Sequence, residues 1–264
     1  MLFFTNLLLF GSVTSTSMSY FNIIKLNATP STNDFLKERH QKGLCLDGDL
    51  VWAQDQTSGR GQRNRTWFSS PEDSLTFSIY KTYEQFYSAN AFSISVAVAL
   101  GIVTGLQSQG IPNVSIKWPN DILSDNKKIA GILIENIFKQ GNLKATFIGI
   151  GLNVNQNKFE DLPNAASLAS VTSKQWDTNH VFNALKEPLE NLLFSLNSIS
   201  LKELFLNYSN LLWKKDERAV FEKEEEIFTA ITRGVTSSGC ILLEDETGKK
   251  IELNSSQLRM HYEN

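Results

Sequence analysis

The sequence predicts a mixed α/β fold followed by a small β-barrel. Segments of alternating apolar and polar residues, which read as strands, are interleaved with helical stretches over most of the chain. One long segment, Ala89 to Leu106, is apolar almost all the way round, as a helix buried on most faces must be. After Trp213 the texture changes to short strands separated by turn residues, the pattern of a small barrel. A chain of 264 residues has room for one sizeable core and such an appendage. The expected division is an extension over 1–19, an α/β domain over 20–214 and a barrel domain over 215–264.

Taken in order, Leu2 to Phe10 is an apolar run followed by the small-residue stretch Gly11 to Ser15, which loosely resembles a secretory signal. It lacks the basic residues that open such a signal, so we read it as a disordered or artificial extension, with the natural start at Met18. Phe21 to Leu26 reads as a strand, and Ser31-Thr32-Asn33-Asp34 opens a helix that ends before Gly43. Asp49 to Gln54 is the next strand. The polar stretch Asp55 to Asp73 holds Gly59, Gly61 and three arginines, and it exceeds most connections in compact domains, which marks a functional loop. Leu75 to Lys81 resumes strand.

The helix from Ala89 is interrupted by Ser93, Ser95, Gly101, Thr104 and Gly105 over about the minimum span of a bilayer, so a core helix is the better reading. Val114 to Trp118 is a strand stopped by Pro119, and Asp121 to Leu123 turns through Ser124-Asp125-Asn126 into the strand Lys128 to Phe138, as a hairpin. Lys144 to Val154 is a further strand with a Gly- and Asn-rich end. Helices dominate Thr178 to Trp213, and short strands follow at Ala219 to Phe221, Ile227 to Arg233, Cys240 to Glu244 and Lys249 to Leu253.

A net charge of -3 argues against a general affinity for nucleic acid, which rests on clustered Lys and Arg. With 41% hydrophobic and 20% charged residues, the composition is that of an ordinary globular protein. Cys45 and Cys240 form no C-x-x-C pair and read as reduced core cysteines, while His40, His180 and His261 are scattered. No structural metal is expected.

Chemistry concentrates in three clusters. In Gly59-Arg60-Gly61-Gln62-Arg63-Asn64-Arg65-Thr66-Trp67, three cations sit on a loop whose glycines let backbone amides approach a ligand. Such a cradle suits a carboxylate attacking a phosphate, because cations must meet the charge that gathers around phosphorus. A solvated basic loop is the plain alternative; Trp67, which can pack over a flat ring, shifts the balance. In Lys117-Trp118-Pro119-Asn120-Asp121, the amide and carboxylate suit a base or Mg²⁺, or simply a turn. In Lys128-Ile129-Ala130-Gly131-Ile132-Leu133-Ile134-Glu135, a cation stands beside small Ala130 and Gly131, which leave space for a ligand. Ser31 and Thr32 suit a helix cap, and equally a polar uracil-like ring.

In order and spacing, Ser31-Thr32-Asn33, Gln56-x-x-Gly59-Arg60-Gly61 through Trp67, Lys117-Trp118-Pro119-Asn120-Asp121, Lys128-x-Ala130-Gly131-Ile132-Leu133-x-Glu135 and Gly149-x-Gly151-x-Asn153 resemble the biotin protein ligases, from about Phe21 to the C-terminus. The resemblance implies a catalytic domain with a mixed sheet of the class II aminoacyl-tRNA-synthetase-like kind, an SH3-like barrel, and biotin and Mg-ATP as substrates. It implies that Ser31, Thr32 and Gln56 bind the ureido ring, with Asn33 beside them. It sets Arg60 and Lys128 against the carboxylate and phosphoanhydride, with Arg63 and Arg65 as further cations. Trp67 would support the closed loop with Gly59 and Gly61. Lys117, Asn120, Asp121 and Asn153, with Gly131, Gly149 and Gly151, would border the nucleotide, Asp121 as metal ligand. The resemblance further implies a biotin carboxyl carrier domain as acceptor, and the expectation is a cytoplasmic monomer or homodimer with no membrane or nucleic-acid partner. Gln62 and Asn64 depart from the family, where many members carry a basic residue and a glycine. That departure bears on how tightly the loop retains the adenylate. A DNA-binding domain before Tyr20 is not expected. The rivals are a lipoate or octanoate ligase, whose Arg-Arg-x-x-Gly-Gly-Gly signature is absent, a nucleic-acid-binding module using Trp67 as a stacking platform, and a structural adaptor.

Overall fold

A computed structural model of the protein describes residues 19–159 and 162–262. The secretory-signal and extension readings of residues 2–18 lie outside the described residues. Strands β1 (Asn22–Thr29), β2 (Asp49–Gln56), β3 (Ser74–Thr82), β4 (Val114–Lys117), β5 (Asp121–Ser124), β6 (Lys127–Lys139) and β7 (Asn142–Asn153) form one sheet in the order β1-β2-β3-β7-β6-β5-β4. β1 and β2 run parallel, joined by helix α1 (Thr32–Gln41), and each other neighbouring pair is antiparallel. The sheet is therefore mixed, as predicted, and β5 and β6 form the expected hairpin.

Side chains alternate across a strand, so the sheet has two distinct faces. On one, Leu50, Trp52, Leu75, Phe77, Ile79, Ile148, Ile150 and Leu152 pack in the main core with helices α2 (Phe92–Ser108) and α4 (Thr178–Phe194). Phe182 of α4 sits over Trp52, with ring centroids 4.7 Å apart, and meets Phe77 edge-on. The stretch Ser88–Ser108 is long and apolar enough to cross a membrane by length and composition. Here α2 packs instead against α4 and the sheet, with Ile94, Val98 and Ile102 wholly buried, which explains its apolarity on nearly every face. On the other face α1 covers Val51, Tyr80, Ala145 and Phe147 through Leu36, and beyond α1 the sheet carries Ser78, Gly149, Gly151 and Asn153.

Helix α3 (Leu168–Thr172) was not expected; its five residues, closed by a capping box between Ser167 and Ser170, are too short to show a helical period. Helix α5 (Leu201–Asn210) leads to strands β8 (Arg218–Lys223), β9 (Glu226–Val235), β10 (Ile241–Glu244), β11 (Lys250–Leu253) and β12 (Arg259–Met260), in the order β11-β10-β9-β8-β12. Strands β8 to β11 fall where short strands were predicted and β12 was not expected; among the described residues no pairing joins β11 to β12, so closure of the ladder into a barrel is not seen. β12, at two residues, offers too little length to close it. Val235, Ile241, Leu243 and Met260 of this sheet share one hydrophobic cluster with Leu50 and Ile94. Trp118 Nε1 donates to Gly239 O (3.1 Å) and Trp213 N to Ile116 O (2.8 Å), which fixes the second sheet beside the mouth of the first.

Candidate active site

The polar face of the large sheet floors a cavity of about 570 Å³. Its floor follows from strand register. Asp121, Gly131 and Gly151 lie in one row across β5, β6 and β7, and Leu133, Gly149 and Ser78 in the row two residues along. Glycine is required in both rows. A Cβ on Gly151 would stand 2.3 Å from Trp67 Cε2, one on Gly131 3.0 Å from Trp67 Cζ3, and one on Gly149 2.8 Å from Asn33 Oδ1. The space expected for a ligand over Gly131 is thus filled by the Trp67 indole. Ala130, also expected to make room, is fully buried on the opposite face.

The roof is the arginine loop, folded as a narrow hairpin. Trp67 N donates to Gly59 O (2.9 Å), Gly61 N to Arg65 O (2.7 Å), and Arg60 and Thr66 form an antiparallel bridge. Arg63, at the tip, has φ 55°, a conformation costing roughly 1 kcal/mol for a residue with a Cβ. Gly59 is the one sequence-predicted residue that does not line the cavity. It serves the hairpin's base, where a Cβ would lie 2.3 Å from Trp67 O and 2.6 Å from Gln56 Nε2.

At the α1 end the polar groups interlock. Ser31 caps α1, accepting from Asp34 N. Gln56 Oε1 accepts from Thr32 N (3.0 Å) and Thr32 Oγ1 (3.1 Å), and Ser78, which sequence reading missed, donates to Thr32 Oγ1 (2.7 Å). Asn33 Nδ2 donates to Glu135 Oε2 (2.8 Å), while Asn33 Oδ1 is buried with no hydrogen-bond partner among the described residues. That leaves one buried acceptor unpaired beside Gly149.

At the β5 end cations gather. Lys128 Nζ pairs with Asp121 Oδ1 (2.7 Å) and lies 5.5 Å from the Trp67 ring. Lys117 is buried, with Nζ 4.5 Å from the Tyr262 ring centroid. Burial lowers its pKa to about 8; Asp121 opposes that shift, and Lys128, Arg259 and Arg65 reinforce it. Arg60 lines the cavity, yet its Nη2 is bound by Asp34 Oδ1 (2.7 Å) and Glu135 Oε2 (2.9 Å). Burial pushes the Glu135 carboxyl up, but hydrogen bonds from Lys37 and Asn33, with the charges of Lys37 and Arg60, leave it below the usual value.

Arg63, Arg65, Asn120 and Asn153 also line the cavity. The two amides hold backbone: Asn120 Nδ2 donates to Ile132 O and Asn153 Nδ2 to Ala166 O, each at 2.9 Å. Sequence reading missed Gln156, Phe159 and the residues Leu162 to Ala165, and Arg259, His261 and Tyr262 near the C-terminus. The first of these are tied to the floor by tertiary contacts that no local pattern shows: Lys128 N donates to Asn164 O (2.7 Å) and Ser74 Oγ to Gln156 Oε1 (3.3 Å).

Among the described residues no group of three or more His, Cys, Asp or Glu side chains comes together, and Asp121 is the single carboxylate lining the cavity. That donor set does not fit a resident cation. It does fit Mg²⁺ arriving on nucleotide phosphates, for which one carboxylate, phosphate oxygens and water suffice.

The sequence model of the Biotin/lipoate A/B protein ligase family matches residues 26–153. The chain is 30% identical over 250 residues to the bifunctional ligase/repressor BirA of Salmonella typhimurium, covering 89% of this chain and 75% of that protein. It is also 30% identical over 167 residues to the biotin–[acetyl-CoA-carboxylase] ligase of Mycobacterium tuberculosis, covering 61% of this chain and 60% of that one. The biotin protein ligase of Aquifex aeolicus, solved in complex with biotin and ATP, superposes with a TM-score of 0.76 at 27% identity over 92% of this chain and 99% of that one.

Proposed function

The chain belongs to the biotin protein ligase family, and on that premise we propose that its cavity activates biotin with ATP to biotinyl-5'-AMP and passes the biotinyl group to a lysine of a biotin carboxyl carrier domain. The observation that carries the residue roles is one cavity with a neutral, hydrogen-bonding end at Ser31, Thr32, Asn33 and Gln56 and a cationic end at Lys117 and Lys128. The neutral end lies against Ser78 and Gly149 of the floor, and the cationic end beside Asp121, which is in register with Gly131.

In this reading the ureido ring meets Thr32, Gln56 and the unpaired acceptor of Asn33. The carboxylate oxygen attacks the α-phosphorus, the bond from that phosphorus to its bridging oxygen breaks, and pyrophosphate leaves with Mg²⁺. Lys128, Arg63 and Arg65 face the growing negative charge, and Asp121 would hold a Mg²⁺ ion brought by the nucleotide, which would supply further positive charge at the phosphates. The hairpin roof and Trp67 exclude water from an adenylate that hydrolyses easily. In the second step a neutral acceptor amine attacks the carbonyl, the carbon–oxygen bond to AMP breaks, and the amine sheds its proton. The enzyme forms no covalent intermediate.

We further infer a catalytic domain over 20–214 of the class II synthetase-like kind and an SH3-like domain over 215–264. The register shift between Leu242 and Leu243 supports the latter, since bulges bend small sheets toward closure. ATP chemistry favours the cytoplasm. The test is pyrophosphate release with Mg-ATP and biotin, lipoate or octanoate, followed by transfer to a biotin carrier domain. Release with biotin alone is expected; release with lipoate but not biotin overturns the substrate.

A further inference from the structure

Glu135 does not line the cavity, yet its carboxylate ties together three of the elements that build it. It lies on β6, four residues beyond Gly131 and on the same face. Oε2 accepts from Asn33 Nδ2 of α1 at 2.8 Å and from Arg60 Nη2 of the hairpin roof at 2.9 Å, and Oε1 accepts from Lys37 Nζ at 2.6 Å. Asp34 Oδ1 adds a second hold on Arg60 Nη2 at 2.7 Å.

We propose that Glu135 is a positioning residue: by gripping Arg60 and Asn33 together it keeps the hairpin roof down over the cavity, without touching biotin or nucleotide itself. Lone surface ion pairs contribute little, but one half-buried carboxylate with three charge-assisted or amide donors is a network, where each bond orients the next. Arg60 is well placed to transmit the grip. Its backbone bridges Thr66, the neighbour of Trp67, and the indole of Trp67 rests on Gly131 and Gly151. Holding the Arg60 side chain therefore holds the indole on the floor. Arg60 is thereby held by Asp34 and Glu135 at the α1 end, whereas Lys128 pairs with Asp121 at the β5 end.

The effect on catalysis rests on the ligase reading; the grip on the roof does not, and the experiment separates the two. Trypsin cuts after arginine, and Arg63 and Arg65 stand exposed in the roof, so cleavage there reports how often the roof lifts in the ligand-free protein. Losing one charge-assisted bond makes Glu135→Gln raise that cleavage rate about tenfold. The same change raises KM for biotin about tenfold and moves kcat for pyrophosphate release less than about threefold, a split that general destabilisation does not give. Arg60→Gln produces the same pattern, and adding it to Glu135→Gln changes cleavage by less than about twofold, because both remove one interaction. Unchanged cleavage in both single variants, or additive effects in the double variant, overturns the proposal. Should Glu135→Gln fail to fold, Arg60→Gln reads the same pair from the partly exposed side, and unchanged cleavage there overturns it equally. If the unaltered protein releases no pyrophosphate with biotin, the ligase reading fails while the cleavage series still decides the grip.

Discussion

On β7, Ile148, Ile150 and Leu152 point into the core under α2 and α4, whereas Gly149, Gly151 and Asn153, one residue out of phase, face the cavity. β6 and β3 repeat the division, with Ile132 and Phe77 on one side and Gly131 and Ser78 on the other. The same backbone thus carries burial on one face and a ligand floor on the other, and the two-residue period of the strand keeps them apart. The apolar face gains roughly 25 cal/mol for each Å² it removes from water. The cavity face gives up that gain at its glycines so that an indole, and in our reading a substrate, can lie against backbone.

This contrast is strongest if damage on one face spares the property carried by the other. The largest effect is expected for Lys128→Ala, which removes a cation from the cavity and should lower the rate of biotin-dependent pyrophosphate release roughly 10²–10³-fold with thermal stability nearly unmoved. Rapid-quench measurement of the adenylation step checks it, and an unchanged rate removes Lys128 from the chemistry. On the opposite face, Leu152→Ala empties a fully buried site and should cost about 3 kcal/mol, roughly a hundredfold in the folding equilibrium, while the folded fraction keeps its KM for biotin. Urea titration and kinetics on the same preparation test that pair of outcomes. A smaller effect is expected for Gly151→Ala, where one methyl must displace the Trp67 ring. Adenylation should fall about tenfold and Trp67 become more quenchable, with stability altered by less than about 1 kcal/mol. A large loss of stability would mean that the indole's seat holds the fold as well as the site.

The alternation that builds both faces was legible in the sequence, as was the buried character of α2, because periodicity and uniform apolarity are local signals. The cavity's members were legible through motifs, but not the work each does. Asn120 and Asn153 sit at its edge with their amide nitrogens committed to Ile132 O and Ala166 O, a choice made by strands that meet only on folding. Ala130 and Gly131 signalled open space, and only the folded register shows that Trp67 fills it over Gly131 while Ala130 faces the core. Arg259 and Tyr262 reach the cavity from far along the chain, through the docking of Trp118 and Trp213, which no short-range pattern encodes. Four of the C-terminal strands, β8 to β11, were legible one by one, and β12 was not. Whether they close into a barrel turns on β12, a strand too short to carry a period.

The smallest kinetic effect separates the two faces by pH. Lys117 is buried at the cationic end, and its pKa is lowered from 10.5 to about 8 by burial, with Lys128, Arg259 and Arg65 reinforcing the shift. In the unfolded chain it keeps its proton to the ordinary value. Between about pH 8 and pH 10.5 the unfolded state therefore binds one more proton than the folded state, and stability of the ligand-free protein should rise with pH, by up to about 1.4 kcal/mol per unit. Below pH 8 both states are charged, so the cost of burying the ammonium is present in full. Binding should move the other way, because a neutral Lys117 no longer attracts the triphosphate, and KM for Mg-ATP should climb a few-fold between about pH 8 and pH 9.5. Lys117→Met, which keeps the length and loses the charge, should flatten both profiles and leave the core face untouched. Denaturation midpoints and KM values measured at the two pH values decide it. A Met variant that keeps the original slopes would assign them to other groups around the cavity.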